Sequence, residues 1–290
     1  EGVRIVVDAG LERRQRFDPN TGMSRLETVS ISRASADQRR GRAGRTAPGI
    51  CYRLWSESMH ASLAAQSAPE ILEADLAPLA LELACWGSSD PGSLAWLDPP
   101  PAATLTQARE LLQRLEAIDA RGQATGIGRR MAALGTHPRL AHMIERGAAL
   151  GLGELACDIA GLLSERDPLR AQGAARDPDL RHRVDVLRGG TAPAGFAVDG
   201  RALQQVRRSS EIFARRLGRD SVAGKEAHER IERDAAVGLL LAFAYPDRIG
   251  MARGGDDGRY LLAQGRGGVL PGPSALARSE FIVAAEIDAG

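Results

Sequence analysis

Lysine is almost absent. Lys225 stands alone among 38 basic residues, and all the others are arginine. A bias that broad lowers what any single arginine signifies, so arginines have to be weighed by their spacing. Cysteine is scarce as well. Cys51, Cys85 and Cys157 lie far apart with no C-x-x-C pair, which argues against a disulfide framework or a cysteine zinc site and fits a reducing, cytoplasmic setting. No apolar run approaches the roughly 18 residues of a membrane span. No internal repeat or low-complexity tract appears. The chain also begins without methionine, at Glu1 and almost directly in an apolar strand, so a fragment whose start lies upstream is expected.

What is present is ordinary in bulk and uneven in detail. The 290 residues are 43% apolar and 26% charged, with a net charge of +1. This composition suits a soluble globular chain of two or three domains and by itself names no partner. Residues 1–60 hold eleven arginines against seven acids, and Arg201 to Arg219 holds six against one. The densest stretch is QRRGRAGR, Gln38 to Arg45. Each glycine inside a helix costs about 1 kcal/mol relative to alanine, so something should offset it. On a helix, Gln38, Arg42 and Arg45 (i, i+4, i+7) share one stripe, with Gly41 beside it. An amide, two guanidinium forks and a bare backbone patch suit a phosphate. Spacing alone leaves the rival open, a solvated face of an arginine-rich helix. Ser35-Ala36-Asp37-Gln38 also fits a capping box, in which the glutamine would fold back on its own helix start.

Along the chain, Ile5 to Val7 predicts a buried parallel strand ended at Asp8, which fixes the strand end. LERRQRF and LETVSIS, either side of the turn DPNTG, predict a hairpin, and ICYRLW a further strand. Helices follow: an apolar run over Leu72 to Trp86, a proline-rich break over Ser88 to Pro101, then a capping box at Thr104–Gln107 opening a helix with Leu105, Ala108, Leu111, Leu112, Leu115 and Ile118 on one face. Leu140, Met143 and Ile144 start another helix. Leu155 to Leu163 marks the next, and Leu203 to Leu217 a fourth, whose outer face carries Arg201, Arg208 and Arg215. A last helix covers about 230–243. YLLA, GGVL and EFIVAAEI read as strands. Trp86 and Trp96 read as core. His137 and His142 are spaced poorly for a metal, so no metal ligands are assigned.

The stretches EGVRIVVDAG and ISRASADQRRGRAGRTAPGICYRL resemble the end of motif V and all of motif VI in DEAH-family superfamily 2 helicases. LAPLALELACWGSSDPGSLAWLDPPP resembles that family's winged-helix region, GTHPRLAHMI its helical ratchet, and RYLLAQGRGGVLPGPSALARSEFIVAAEI its OB-like terminal region. The resemblance implies a multidomain α/β + α chain: a partial RecA-like domain (1–56), a winged-helix region (57–130), a ratchet-like helical bundle (131–245) and a partial OB-like unit (246–290). It implies ATP and a nucleic acid, RNA ahead of DNA, as ligands. Gln38, Gly41, Arg42 and Arg45 match phosphate-contacting positions, the two arginines as fingers, and Glu1 matches a ribose contact. Arg13, Arg14 and Arg16 of the hairpin, with Arg208 and Arg215, become candidates for nucleic-acid phosphates, against the rival of solvated surfaces. No G-x-x-x-x-G-K-[ST] and no D-E-x-H occurs, so the resemblance puts magnesium on an upstream domain and leaves this chain inactive alone. A non-catalytic nucleic-acid-binding or scaffold module remains the alternative, and protein partners stay unknown.

Overall fold

Two strands and a helix frame the first part of the chain. The structure, a computed structural model, describes residues 2–18, 23–88, 91–173, 176–218, 233–254, 257–271 and 274–287. Contacts divide it into two units, Glu1–Leu76 with Asp90–Ala108, and Ala77–Ser89 with Arg109–Gly290.

In the first unit β1 (Ile5–Asp8) leads into the hairpin β2 (Leu11–Asp18) and β3 (Met23–Ser30), then α1 (Arg33–Ala43) and β4 (Ile50–Arg53). β1 and β4 pair in parallel from Ile5↔Ile50 to Asp8↔Arg53, which requires a crossover, here the hairpin and α1. The hairpin arms pair without a slip from Leu11↔Ser30 to Asp18↔Met23. Two glycines make the packing possible. Gly10, at φ +73°, turns the chain where a Cβ would stand 2.9 Å from the Trp55 ring, and at Gly49 a Cβ would stand 2.2 Å from the Ala43 carbonyl oxygen. A small core of Ile31, Ala36 and Leu63 with Trp55 lies beneath α1. α2 (Glu57–Ser62) follows β4 and is capped by Ser56.

The buried strand expected at Ile5 to Val7 is exposed on one side. Ile5, Val7, Ile50 and Tyr52 all face outward, because among the described residues α1 is the helix packed on this two-stranded sheet and the opposite face stays open. The apolar run at Leu72–Trp86 is helical only as α3 (Ala77–Trp86), with a single tight turn at Glu70–Leu72. Pro78 sits in the first turn of α3, where the absent N–H costs nothing. Trp86 is 74% exposed and not core. Trp96 is half-buried and donates its indole N–H to the Pro91 carbonyl, 2.7 Å. The helix α4 (Ala102–Arg114) starts after Pro101, so Thr104 lies inside it and is not its cap. Of the expected apolar face, Leu105, Ala108 and Leu112 are buried on α4 and Leu111 is half-buried, while Leu115 and Ile118 are buried beyond the end of the helix.

The second unit is mainly helical. An Ile118↔Ala124 bridge turns the chain into α5 (Gly126–Leu134), capped by Thr125 and ended by left-handed Gly135. α6 (Pro138–Ala149) is capped by His137, whose Nδ1 accepts the Arg139 N–H, and α7 (Gly153–Ser164) packs on it. A short pair, β5 (Leu169–Ala171) with β6 (Phe196–Val198), brackets α8 (Leu180–Leu187). The sequence reading did not resolve these three elements. α9 (Gly200–Leu217) lies against α7, and α10 (Arg233–Ala244) against α6. Glycines let these helices pack closely: a Cβ on Gly161 would stand 3.0 Å from the Val206 carbonyl oxygen, and one on Gly147 2.7 Å from Leu240 Cδ2. β7 (Ile249–Ala252), β8 (Arg259–Leu262), β9 (Gly267–Val269) and β10 (Phe281–Val283) form an antiparallel sheet in the order β10-β7-β8-β9. Among the described residues no helix is long and apolar enough to cross a membrane.

Candidate functional site

α1 begins at Ser32, not at Ser35. The Ser32 hydroxyl accepts the Ser35 N–H at 3.1 Å, and the Arg33 and Ala34 N–H groups donate to the carbonyls of Ala64 and Ala65 at 2.8 and 3.1 Å. The first-turn donors that usually make a helix start attractive to anions are therefore occupied. The capping box read from Ser35 to Gln38 does not form, which leaves the Gln38 amide uncommitted. Any attraction for an anion has to come from side chains farther along.

Ala36 and Ala43 are the buried residues of α1. At 3.6 residues per turn, Gln38 and Arg42 lie about 200° and 240° round from Ala36, facing away from the core. Arg45 departs from the expected stripe. The helix ends at Ala43 with Gly44 as its C-cap, so Arg45 stands in the following bend and its direction is set by the turn. All three residues are exposed, and among the described residues their side chains have no hydrogen-bond or ion-pair partner. Gly41 borders open space, with nothing within 4 Å of where a Cβ would stand. One amide, two guanidinium groups and a bare stretch of helix thus remain available together around the C-terminal half of α1. That donor set carries positive charge and no acceptor on its cationic members, which suits a phosphate.

The other arginines of the motif are already engaged. Arg39 Nη1 donates to Asp8 Oδ1 at 3.0 Å and to the Leu11 carbonyl at 3.1 Å, and Nη2 lies 3.7 Å from Glu12 Oε2. The Asp8 carboxyl is 1% exposed and also accepts the Gly10 N–H at 3.0 Å, so it does fix the strand end. Asp37 pairs with Arg53 at 2.8 Å and Arg40 at 3.6 Å. The Arg53 hydrogen bond chiefly holds its carboxyl below the usual range.

The remaining candidates separate in the same way. Arg14 is bound by Glu12 at 2.5 Å and Glu73 at 3.3 Å, and the Glu12 hydrogen bond chiefly raises its pKa. It is a structural ion and not a free phosphate ligand. Arg16 reaches Glu27 only at 4.0 Å, and Arg13 is exposed. The Pro19–Gly22 part of the turn and Glu1 lie outside the described residues. On α9, Arg207 and Arg216 donate to the carbonyls of Leu187 and Leu134, while Arg201, Arg208 and Arg215 face outward.

Both histidines singled out from the sequence have partners within the protein. His137 caps α6. His142 is buried, with Nδ1 2.8 Å from the Phe243 carbonyl and Arg146 Nε donating to Nε2 at 3.3 Å. Nδ1 therefore carries the proton, and burial chiefly lowers the pKa. Among the described residues no cluster of three or more His, Cys, Asp or Glu could hold a metal ion. Burial pushes the Cys157 thiol up to about 12, which makes it inert. Sequence reasoning missed the engagement of Arg39 and Arg14. The nearby acids Asp8, Glu12 and Glu73 were visible, but which arginine meets which acid depends on pairing across β1, the hairpin and α1.

The family model described as helicase associated domain (HA2), winged-helix, matches residues 108–135. The ATP-dependent RNA helicase HrpB of Escherichia coli (strain K12) is 41% identical over 284 residues, 98% of this chain and 31% of that protein. The pre-mRNA-splicing factor ATP-dependent RNA helicase prp22 of Schizosaccharomyces pombe is 39% identical over 165 residues, 57% of this chain and 14% of that protein. A crystal structure of the Escherichia coli DEAH/RHA helicase HrpB superposes with a TM-score of 0.73 at 38% identity, covering 98% of this chain and 32% of that one. The chain thus spans less than a third of the length of these relatives.

Proposed function

Since the chain is homologous to HrpB along almost all of its own length and carries part of the helicase-associated winged-helix domain, we propose that it is the C-terminal part of an ATP-dependent RNA helicase. In this reading residues 1–56 end the second RecA-like domain, 57–130 make the winged-helix region, 131–245 the ratchet-like bundle and 246–290 an OB-like unit. The exposed apolar face of β1 and β4 is then covered by helices of the rest of that RecA-like domain. The longer protein works on RNA in preference to DNA, as the names of the relatives suggest, and in the cytoplasm, which the three scattered cysteines suit.

The observation that carries the reading is the free state of Gln38, Arg42 and Arg45 beside bare Gly41, while neighbouring Arg39, Arg40 and Arg53 are paired with acids. A helix face kept merely for solubility would have no reason to separate its arginines this way. ATP brings a γ-phosphoryl group whose transfer to water is driven by charge stabilisation and positioning. Arg42 and Arg45 donate to its oxygens as negative charge develops there, and the Gln38 amide helps orient the phosphate or the attacking water. Gly41 lets the phosphate approach the helix backbone. Magnesium belongs to a part of the longer protein that carries the phosphate loop and the acidic box. Arg208 and Arg215, with Arg13 and Arg16, contact the RNA backbone without reading sequence.

The test uses the longer helicase that contains this chain. Arg42→Ala or Arg45→Ala should each cut ATP turnover by about 10³–10⁵, as arginine fingers do elsewhere. Thermal stability should stay close to wild type, and lysine at either position should not rescue, since a point charge cannot reproduce the fork. Turnover near wild type in both alanine variants would return the stripe to a solvated helix face, whereas no ATP turnover in the wild-type longer protein would favour a non-catalytic module.

A further inference from the structure

Between the free arginines of α1 and the hairpin runs a chain of charges. It begins at Arg39, one residue from Gln38 and one turn from Arg42. The Arg39 guanidinium joins three points at once: Asp8 at the end of β1, the Leu11 carbonyl at the start of β2, and Glu12 one residue into β2, at 3.0, 3.1 and 3.7 Å. Glu12 uses its other oxygen to hold Arg14 at 2.5 Å, and Arg14 reaches Glu73 at 3.3 Å. Glu73 in turn accepts the Phe17 N–H through its backbone carbonyl at 2.8 Å. The other hairpin arm is tied as well. β3 ends two residues before the helix start, and the Ile31 N–H donates to the Gly10 carbonyl at 3.0 Å.

The base of the hairpin and the orientation of α1 therefore share one set of contacts. Asp8 is buried and cannot move to follow Arg39, so a tilt of the hairpin must either rotate α1 or break the Arg39–Glu12 link. Arg39 is the group that can satisfy all three points, because only a planar fork offers separated donors in fixed directions.

We propose that Arg39 is a positioning residue, acting with Glu12 to couple the hairpin to the phosphate-facing side of α1, so that RNA held at the hairpin alters the rate of phosphate chemistry at Gln38, Arg42 and Arg45. This rests on the function proposed above and adds a route by which RNA would stimulate turnover. A purely structural network would lower turnover with and without RNA by the same factor; a coupling network lowers the ratio.

The experiment measures ATP turnover of the longer helicase with and without saturating oligouridylate, for wild type, Glu12→Gln, Arg39→Lys and Arg42→Ala. Glu12→Gln breaks the chain in the middle and spares the Asp8–Arg39 pair. It should leave basal turnover and the RNA concentration for half-stimulation near wild type while reducing the stimulation about 5-fold or more, the lower end of ordinary coupling energies. Arg39→Lys, which keeps the charge and loses the fork, should reduce stimulation more than it reduces basal turnover. The coupling is overturned if both variants keep the wild-type ratio, if they lower both rates equally, or if RNA does not stimulate wild type. Arg42→Ala separates the two readings. Near wild-type turnover there removes the phosphate site itself, whereas loss of turnover there with unchanged stimulation in Glu12→Gln removes the coupling alone.

Discussion

Arg39 and Arg42 lie three positions apart in one repeated motif and do opposite things. Arg39 is paired with a carboxyl that water hardly reaches, and Arg42 has solvent around it. Truncating Arg39 strands the Asp8 carboxylate with the Gly10 N–H as its remaining donor. Leaving a buried charge short of its partner is costly, though the half-exposed guanidinium moderates the loss. In this chain Arg39→Ala should therefore lower unfolding free energy by about 1–3 kcal/mol, while Arg42→Ala should stay within about 0.5 kcal/mol. Urea denaturation of the two variants checks this. Equal stabilities would mean that the Asp8 pair contributes nothing to the fold. A stability loss of that size makes Arg39→Ala unsuitable as a mild control for the phosphate site.

Glycines within and beside the helices play two distinct parts. Gly128 in α5 stands where a Cβ would lie 2.0 Å from the Ala117 carbonyl oxygen, a backbone atom that cannot swing aside. Gly128→Ala should destabilise the second unit by about 1–3 kcal/mol through overpacking. Gly41 in α1 has open space in the same direction. Gly41→Ala should stabilise the chain by about 0.5–1 kcal/mol, by relieving the entropic cost of glycine inside a helix. On the proposed function the same change should weaken ATP turnover in the longer helicase, because the added methyl stands where the phosphate comes close. Gain of stability with loss of activity is the expected signature. Unchanged turnover would show that nothing approaches Gly41.

For the chain as a whole, the exposed arginines Arg13, Arg16, Arg208 and Arg215 predict weak RNA binding governed by counterion release. With two phosphates neutralised on each unit, affinity for a single-stranded oligonucleotide should fall about 7-fold between 50 and 200 mM salt. Arg208→Ala should reduce the logarithmic slope by about 0.7. Fluorescence anisotropy over that range checks both, and a flat salt response would argue against backbone contacts. What the sequence by itself determined here is local or periodic. The 3.6-residue repeats of Leu140 to Ile144 and Leu155 to Leu163, the paired arms LERRQRF and LETVSIS, and the spacing of Gln38, Gly41 and Arg42 all depend on neighbours a few residues away. The tertiary structure alone decided which arginines are free, because that depends on acids brought from residues 8, 12, 37 and 73. It also decided where α1 starts and stops. Ser32 outcompetes Ser35 as cap because the carbonyls of Ala64 and Ala65 are positioned to take the next two N–H groups, and the bend that follows the Gly44 cap keeps Arg45 out of the helix.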